Sequence, residues 1–532
     1  MIPALIVFAY LAIVLGIGIF AFRKSSGSGE DFFVANRALG QWVFLLSLFG
    51  TNMTAFAILG SSGMAYKNGI GVFGLMASSS AIIIPLTLLF IGTRLWGLGK
   101  RFGHMTQVQY FRDRWQNSSL GTAIFVLTAL MLVPYIIIGV MGGGEVMETL
   151  SATTVIGADG KPVVSHWVSY EVGSALVAAV VMSYVFFGGM RGTAWVNTFQ
   201  VVLFLGFGAI AVILISAKLG GFAAVMERLS GDPKLATLLS RERISQPEFF
   251  SYLFIPLSSI MFPHMAIMCL TAERVTHFRT TVVLYPLCIA AIWLPCVYLG
   301  VVAAGLFPGL DAGQANDVIP RLLTQYTEVW VAGILGAGIM ACVMASDSQI
   351  MALTTMFTQD IFAHYGGKER FGDRVQVWTG RAFVIAIAVA SWLIAVALHK
   401  QAGIFELAIR FAFSGFAALA PVMLAALYWK RSTAAGAWAA VIWVAVAMAA
   451  TWWLHDSTVE LAKTLKLGQM VPIVPALGDL LLRSKGGVTV YGFLPVMPMV
   501  LGSALLMVVV SLLTRPPPQA TLDRYFPAKG GA

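Results

Sequence analysis

The chain has 532 residues, 58% of them hydrophobic and 11% charged, and a mean hydropathy of +0.84. That is more apolar surface than one water-soluble core buries, so the chain needs lipid as its solvent. A formal charge of +10 then marks basic loops on one membrane face, not a nucleic-acid partner.

A spanning helix takes roughly 20 apolar residues, and apolar runs bounded by charges or turn residues predict helices over 2–22, 41–65, 71–97, 120–142, 167–188 and 196–217. The first run has no basic lead or small-residue cleavage site, so it reads as a retained helix. Further runs predict helices over 250–271, 281–307, 328–362, 376–398, 403–428, 434–454 and 489–513. The expected fold class is therefore all-α, a polytopic transmembrane bundle of thirteen spans. Arg23, Lys24, Arg37, Arg94, Lys100, Arg101, Arg112, Arg114, Arg191, Lys430 and Arg431 fall on one side of such a bundle. The expected placement is a bacterial-type inner (plasma) membrane, with the N-terminus outside and the C-terminus cytoplasmic.

Cys269, Cys288, Cys296 and Cys342 lie in apolar stretches without metal-ligand spacing, so neither a disulfide nor a metal cluster is expected. No HExxH or GxSxG pattern occurs and the seven His are scattered, which argues against an enzyme. The tail after Pro516 is too short for the kinase region a transporter-like sensor would need. No organic cofactor and no obligate protein partner are expected, only a small solute and the bilayer.

Four segments carry a family resemblance: Asp31 to Gly40, Gly188 to Gln200, Asp347 to Asp360, and Pro421 to Arg431. In this order, each beside its helix, they resemble the sodium/solute symporter family. The resemblance implies a LeuT-type core of two inverted five-helix repeats, here 41–217 and 250–428. Residues 1–40 would be an extra N-terminal helix and loop, and 429–532 two further helices and a tail. In such folds the first helix of each repeat is interrupted at the bilayer midplane. Gly50-Thr51-Asn52-Met53-Thr54 and Pro256-Leu257-Ser258-Ser259 through Phe262-Pro263-His264 interrupt the corresponding helices; close packing of small residues is the alternative reading.

The resemblance places a sodium at the carbonyls of Gly50 and Met53 and at Ala341, Met344 and Ala345. The last two should be Ser or Thr, and a thioether and a methyl do not serve a hard cation, unless Ser346 or Asp347 takes their place. Asn197 likewise stands where many members carry an acid. Proton coupling therefore competes with sodium, and Asp347, an ionisable group in an apolar helix, is the leading coupling residue; a structural hydrogen bond is its alternative role.

For the solute, Asn52, Thr54, Phe56, Tyr135, Ser258, Phe262 and His264 would line an aromatic, sparsely polar pocket. Arg410 would grip a carboxylate unless Glu406, one turn earlier, already satisfies it. The segments 131–136 and 252–264 resemble most the monocarboxylate-permease branch. A small organic solute, a monocarboxylate first, is thus expected to be carried by symport with sodium or a proton. Sodium-coupled uptake of proline, pantothenate or another neutral or zwitterionic solute is the alternative.

Overall fold

The computed structural model of the protein describes residues 2–156, 162–311, 313–399, 404, 408–465 and 469–526. Uninterrupted apolar sequence gives the long helices α1 (Ile2–Arg23), α4 (Gly71–Phe102), α6 (Ser118–Leu150) and α7 (Tyr170–Lys218), the second and third of which follow, respectively, the broken pair α2 (Gln41–Asn52) and α3 (Phe56–Asn68) and the amphipathic α5 (Gln107–Trp115). A second broken pair, α8 (Gln246–Met261) and α9 (Pro263–Leu270), precedes α10 (His277–Leu306), the short α11 (Val318–Tyr326) and α12 (Val329–Val343). Then come α13 (Asp347–Met356), α14 (Gly367–Ala397), α15 (Ser414–Tyr428), α16 (Ala434–Ser457), α17 (Val496–Leu513) and the tail helix α18 (Gln519–Tyr525). Among the described residues nine helices are long and apolar enough to cross a membrane, or eleven if each bent pair is one span.

Two expected boundaries are corrected. Spans over 167–188 and 196–217 are not separated by a loop: α7 is helical throughout, apart from Gly189 at φ 53° and ψ −149°. Tyr184 and Asn197 would lie roughly 20 Å apart on a straight helix, yet Tyr184 bonds Asp347 and Asn197 bonds the adjacent Ser348. The chain must therefore fold back at Gly189, where a Cβ would come within 2.7 Å of the Phe32 carbonyl; only glycine adopts this backbone without strain. The stretch expected over 328–362 is present as one apolar run of helix, Val329–Ala363, with a 3-10 turn at Met344–Ser346 between α12 and α13.

The all-α bundle also carries two small sheets. Strands β1 (Ala152–Ile156) and β2 (Pro162–His166) form an antiparallel hairpin, and β3 (Met470–Pro472), β4 (Leu481–Ser484) and β5 (Gly487–Val490) form a small antiparallel sheet. The last helix accordingly starts at Val496, not at 489. Both sheets sit in connections between apolar helices.

Candidate solute and cation sites

The first break falls at Asn52-Met53-Thr54. Helix α2 stops at Asn52, Met53 is extended (φ −100°, ψ 90°), and α3 leaves at 57° to it. Carbonyls around the break find outside donors: Thr51 accepts from Gln349 Nε2 (2.9 Å), Asn52 from the Tyr135 hydroxyl (3.2 Å), and Met53 and Thr54 both from the Cys342 thiol (3.2 Å each). The Asn52 amide donates to the Tyr285 hydroxyl at 2.7 Å.

The second break has a local cause. Pro263 has no N–H and pushes the preceding residue out of helical geometry, so Phe262 adopts φ −57°, ψ 119° and the axis turns by 47°. Ser258 anchors the stump, its carbonyl accepting from the Phe262 N–H at 2.9 Å.

Rings close the space between the breaks. Phe262 stacks on His264 (4.8 Å between centroids) and Tyr135 (5.6 Å) and meets Phe413 and Phe416 at 5.4 and 5.0 Å. Phe56 and Tyr135 contact Phe413 edge-on at 4.9 and 5.2 Å. Inside this apolar box His264 is 1% exposed and neither ring nitrogen has a partner among the described residues; the buried Thr54 hydroxyl lies beside that of Tyr135. Unpaired buried polar groups cost free energy, and a native structure that keeps them in one place invites a ligand.

A second cluster lies where α13 meets the two arms of α7. Asp347 is fully buried; Oδ2 accepts from the Tyr184 hydroxyl at 2.9 Å and Oδ1 from the Ser348 hydroxyl at 3.0 Å. Ser348 in turn accepts from Asn197 Nδ2 at 2.7 Å, which leaves Asn197 Oδ1 buried without a donor. Gln200 Nε2 donates to the Tyr10 hydroxyl at 3.1 Å, and its Oε1 is likewise unpartnered. Asp347 makes no ion pair with the described residues, so its charge can be balanced only by a cation or a proton.

The other expected cation ligands are present without suitable side chains. Gly50 packs on Asn197 and Val201, and Ala341, Met344 and Ala345 are fully buried. The Met53 carbonyl is engaged by the Cys342 thiol. The Ser346 hydroxyl lies against Gly139 of α6. Glu406 and the side chain of Arg410 lie outside the described residues.

A family model for the sodium:solute symporter family matches residues 32–443. The chain belongs to that family. Its curated relatives include a sodium/proline symporter of Escherichia coli (26% identical, covering 83% of this chain and 86% of the relative) and a sodium/pantothenate symporter of Haemophilus influenzae (24%; 81% and 87%). A solved sodium-coupled sialic acid symporter, in a substrate-bound outward-open state, superposes with a TM-score of 0.71 over 98% of this chain and 99% of its own at 15% identity. That likeness shows the shared fold, so the LeuT-type architecture expected from the motifs is the one this family member has. The family and these relatives are transporters, and the chain is a multi-pass member of it.

Several participants escaped the sequence reading. Phe413 and Phe416 complete the box, and Tyr285 holds Asn52. Tyr184 and Ser348 hold Asp347, and Cys342 caps the first break. Only Ser348 carried a signal, as the neighbour of an intramembrane acid.

Proposed function

We propose that the protein is a symporter that binds a small carboxylate-bearing organic solute in the ring-lined space between the two helix breaks, driven by a cation bound at Asp347. The observation that carries this reading is His264: a polar side chain buried against Phe262 and Tyr135 in a box of five other rings, with both nitrogens unpartnered among the described residues. Aromatic walls take the solute's apolar body, and His264, Asn52 and Thr54 with the amides freed at the breaks take its polar end. Phe56, Tyr135 and Phe262 supply the walls, and Ser258 supports the second break. Two solutes fit this description. A monocarboxylate such as lactate or pyruvate follows from the sequence segments, whereas proline or pantothenate follows from the relatives.

The cation, sodium by analogy with the family, is proposed to sit among Asp347, Ser348 and the unpartnered Asn197 Oδ1, hard oxygens that suit it. Gly50, Met53, Ala341, Met344, Ala345 and Ser346 then shape the neighbouring backbone and supply no side-chain ligand. The proposed topology counts the two arms of α7 separately and includes α15, giving thirteen spans with the N-terminus outside. In it, 41–217 and 250–428 are inverted repeats, each opening on a broken pair.

The deciding experiment is uptake of radiolabelled pyruvate, lactate and proline into proteoliposomes, with sodium and proton gradients imposed separately. We expect accumulation of at least one solute with the sodium gradient alone. Accumulation with a proton gradient alone would keep Asp347 as the coupling group but exclude sodium, and accumulation of none would remove the small-carboxylate reading.

A further inference from the structure

On the face that carries the C-terminal tail, three distant segments enclose a cavity of about 180 Å³: the end of α5 with Arg114, Trp115 and Gln116, the start of α16 with Thr433 and Ala434, and the chain leaving α17, Arg515 to Pro518 with Thr521. The volume is far above the ~10–15 Å³ that one water requires. Among the described residues two arginines and no carboxylate line it.

The arginines differ. Arg114 is fully buried; its Nε donates to the Ala426 carbonyl (3.2 Å) and its Nη2 to the Trp429 carbonyl (3.3 Å) and the Ser432 hydroxyl (3.2 Å), but Nη1 has no acceptor. Trp115 beside it is 7% exposed, and its Nε1–H is also buried without an acceptor. Arg515 is exposed and makes no hydrogen bond or ion pair with the described residues. Thr433 caps α16, a 24-residue helix whose N-terminus therefore opens at the rim, where the helix dipole favours negative charge.

Local acids do not compensate. Asp113 of α5 is held by Arg524 at 2.8 Å and by the Tyr525 hydroxyl, and Asp523 accepts from Gln519 at 2.7 Å. Those contacts, with Gln116 Nε2 donating to Thr521 at 2.9 Å, fix the tail helix on α5 whether or not anything binds. Three consecutive prolines stiffen the segment between Arg515 and that helix. The result is a recess with a free guanidinium and a helix N-terminus at its rim, lined by two residues, Arg114 and Trp115, that each keep one buried donor without an acceptor among the described residues.

We propose that this recess binds a phosphate group, presented either by an anionic phospholipid headgroup or by a free phosphate anion. Arg114 and Trp115 donate from its floor and Arg515 from its rim; planar guanidinium groups match phosphate oxygens well. Binding would couple the tail to the N-terminus of α16 and the end of α15, independently of which solute is carried.

The test uses the purified full-length protein in neutral detergent, titrated calorimetrically with inorganic phosphate and separately with dihexanoyl phosphatidylglycerol, at constant ionic strength set by chloride. Arg515→Gln removes an exposed, unpartnered charge, and Trp115→Phe removes one N–H while keeping the ring; Arg114 is left intact because it caps α15. We expect saturable binding of at least one probe, weakened about tenfold or more by Arg515→Gln and several-fold by Trp115→Phe, with unliganded thermal midpoints unchanged. Binding of the lipid alone identifies a headgroup site, of phosphate alone a soluble-anion site, and of both a site for the phosphate group itself. No binding of either probe at millimolar concentration, or binding that neither variant weakens, overturns the proposal. Since solute uptake is not read, failure here leaves the transport reading standing.

Discussion

The ring-lined space between the breaks and the Asp347 cluster are both buried and both lie against the broken helices, but they keep their polar groups in opposite conditions. Around His264 the surroundings are hydrocarbon and the ring nitrogens have no partner among the described residues. Around Asp347 each carboxylate oxygen has a hydroxyl donor, and what is lacking is a counter-charge. One place is short of a hydrogen-bonding molecule and the other of a positive charge. On the proposed function, that is the division of labour a symporter needs: the solute would supply the first and the ion the second, and occupancy of each would lower the cost of burying its site.

The sharpest way to break this comparison is Asp347→Asn. It removes the charge and keeps the shape, so accumulation above equilibrium should vanish while solute exchange survives, measured by gradient-driven uptake against counterflow in proteoliposomes. Gradient-dependent accumulation by this variant would return Asp347 to a structural role. A smaller effect is expected at the other site. His264→Phe should raise the solute KM about tenfold and also raise the thermal midpoint, because a buried unpaired group costing ~1–3 kcal/mol disappears; a lower midpoint would mean that the imidazole is satisfied in the free protein. Tyr184→Phe deletes one donor to Asp347, and the half-saturating cation concentration should shift by about three- to tenfold with the solute KM nearly constant.

The smallest effect lies outside the membrane, at the short helix Gly29–Val34. Burial opposes ionisation of Asp31, but Arg191 at 2.6 Å, the Ser26 N–H and the Ser25 hydroxyl outweigh it and hold the carboxyl below its ordinary value. Stability from this group is full above the unfolded carboxylate value of ~3.9 and is lost as pH falls through the depressed folded one. Thermal midpoints of the wild type should therefore drop more steeply below about pH 4 than those of Asp31→Asn; parallel curves would show that the Asp31–Arg191 pair adds nothing.

Much of the fold was legible because a spanning helix leaves about 20 apolar residues in a row, a signal that survives without partners. The breaks were legible too, since Pro263 acts on its own backbone and the Asn-Met-Thr run interrupts an apolar stretch with polar residues. What failed were features decided by contact. The Gly189 reversal looks in sequence like any loop between spans, and β4 and β5 look like the approach to a helix. Asp347 stood out as an acid in an apolar run, but Tyr184, 163 residues away, reads as one more packing aromatic until the fold brings them together. The replaced ligands at Met344 and Ala345 were visible as a departure, although only the structure shows Ser346 turned onto Gly139.

Cys342 gives the first break a built-in reporter. Its thiol is a weak donor shared between the Met53 and Thr54 carbonyls and fully buried, so an alkylating reagent reaches it only when the strand between α2 and α3 lifts away. In a protein whose other cysteines, Cys269, Cys288 and Cys296, are replaced by alanine, the rate of labelling by a small maleimide becomes a clock for that opening. Saturating solute and cation should slow it, and the concentrations that do so give the affinities of both sites without any transport assay.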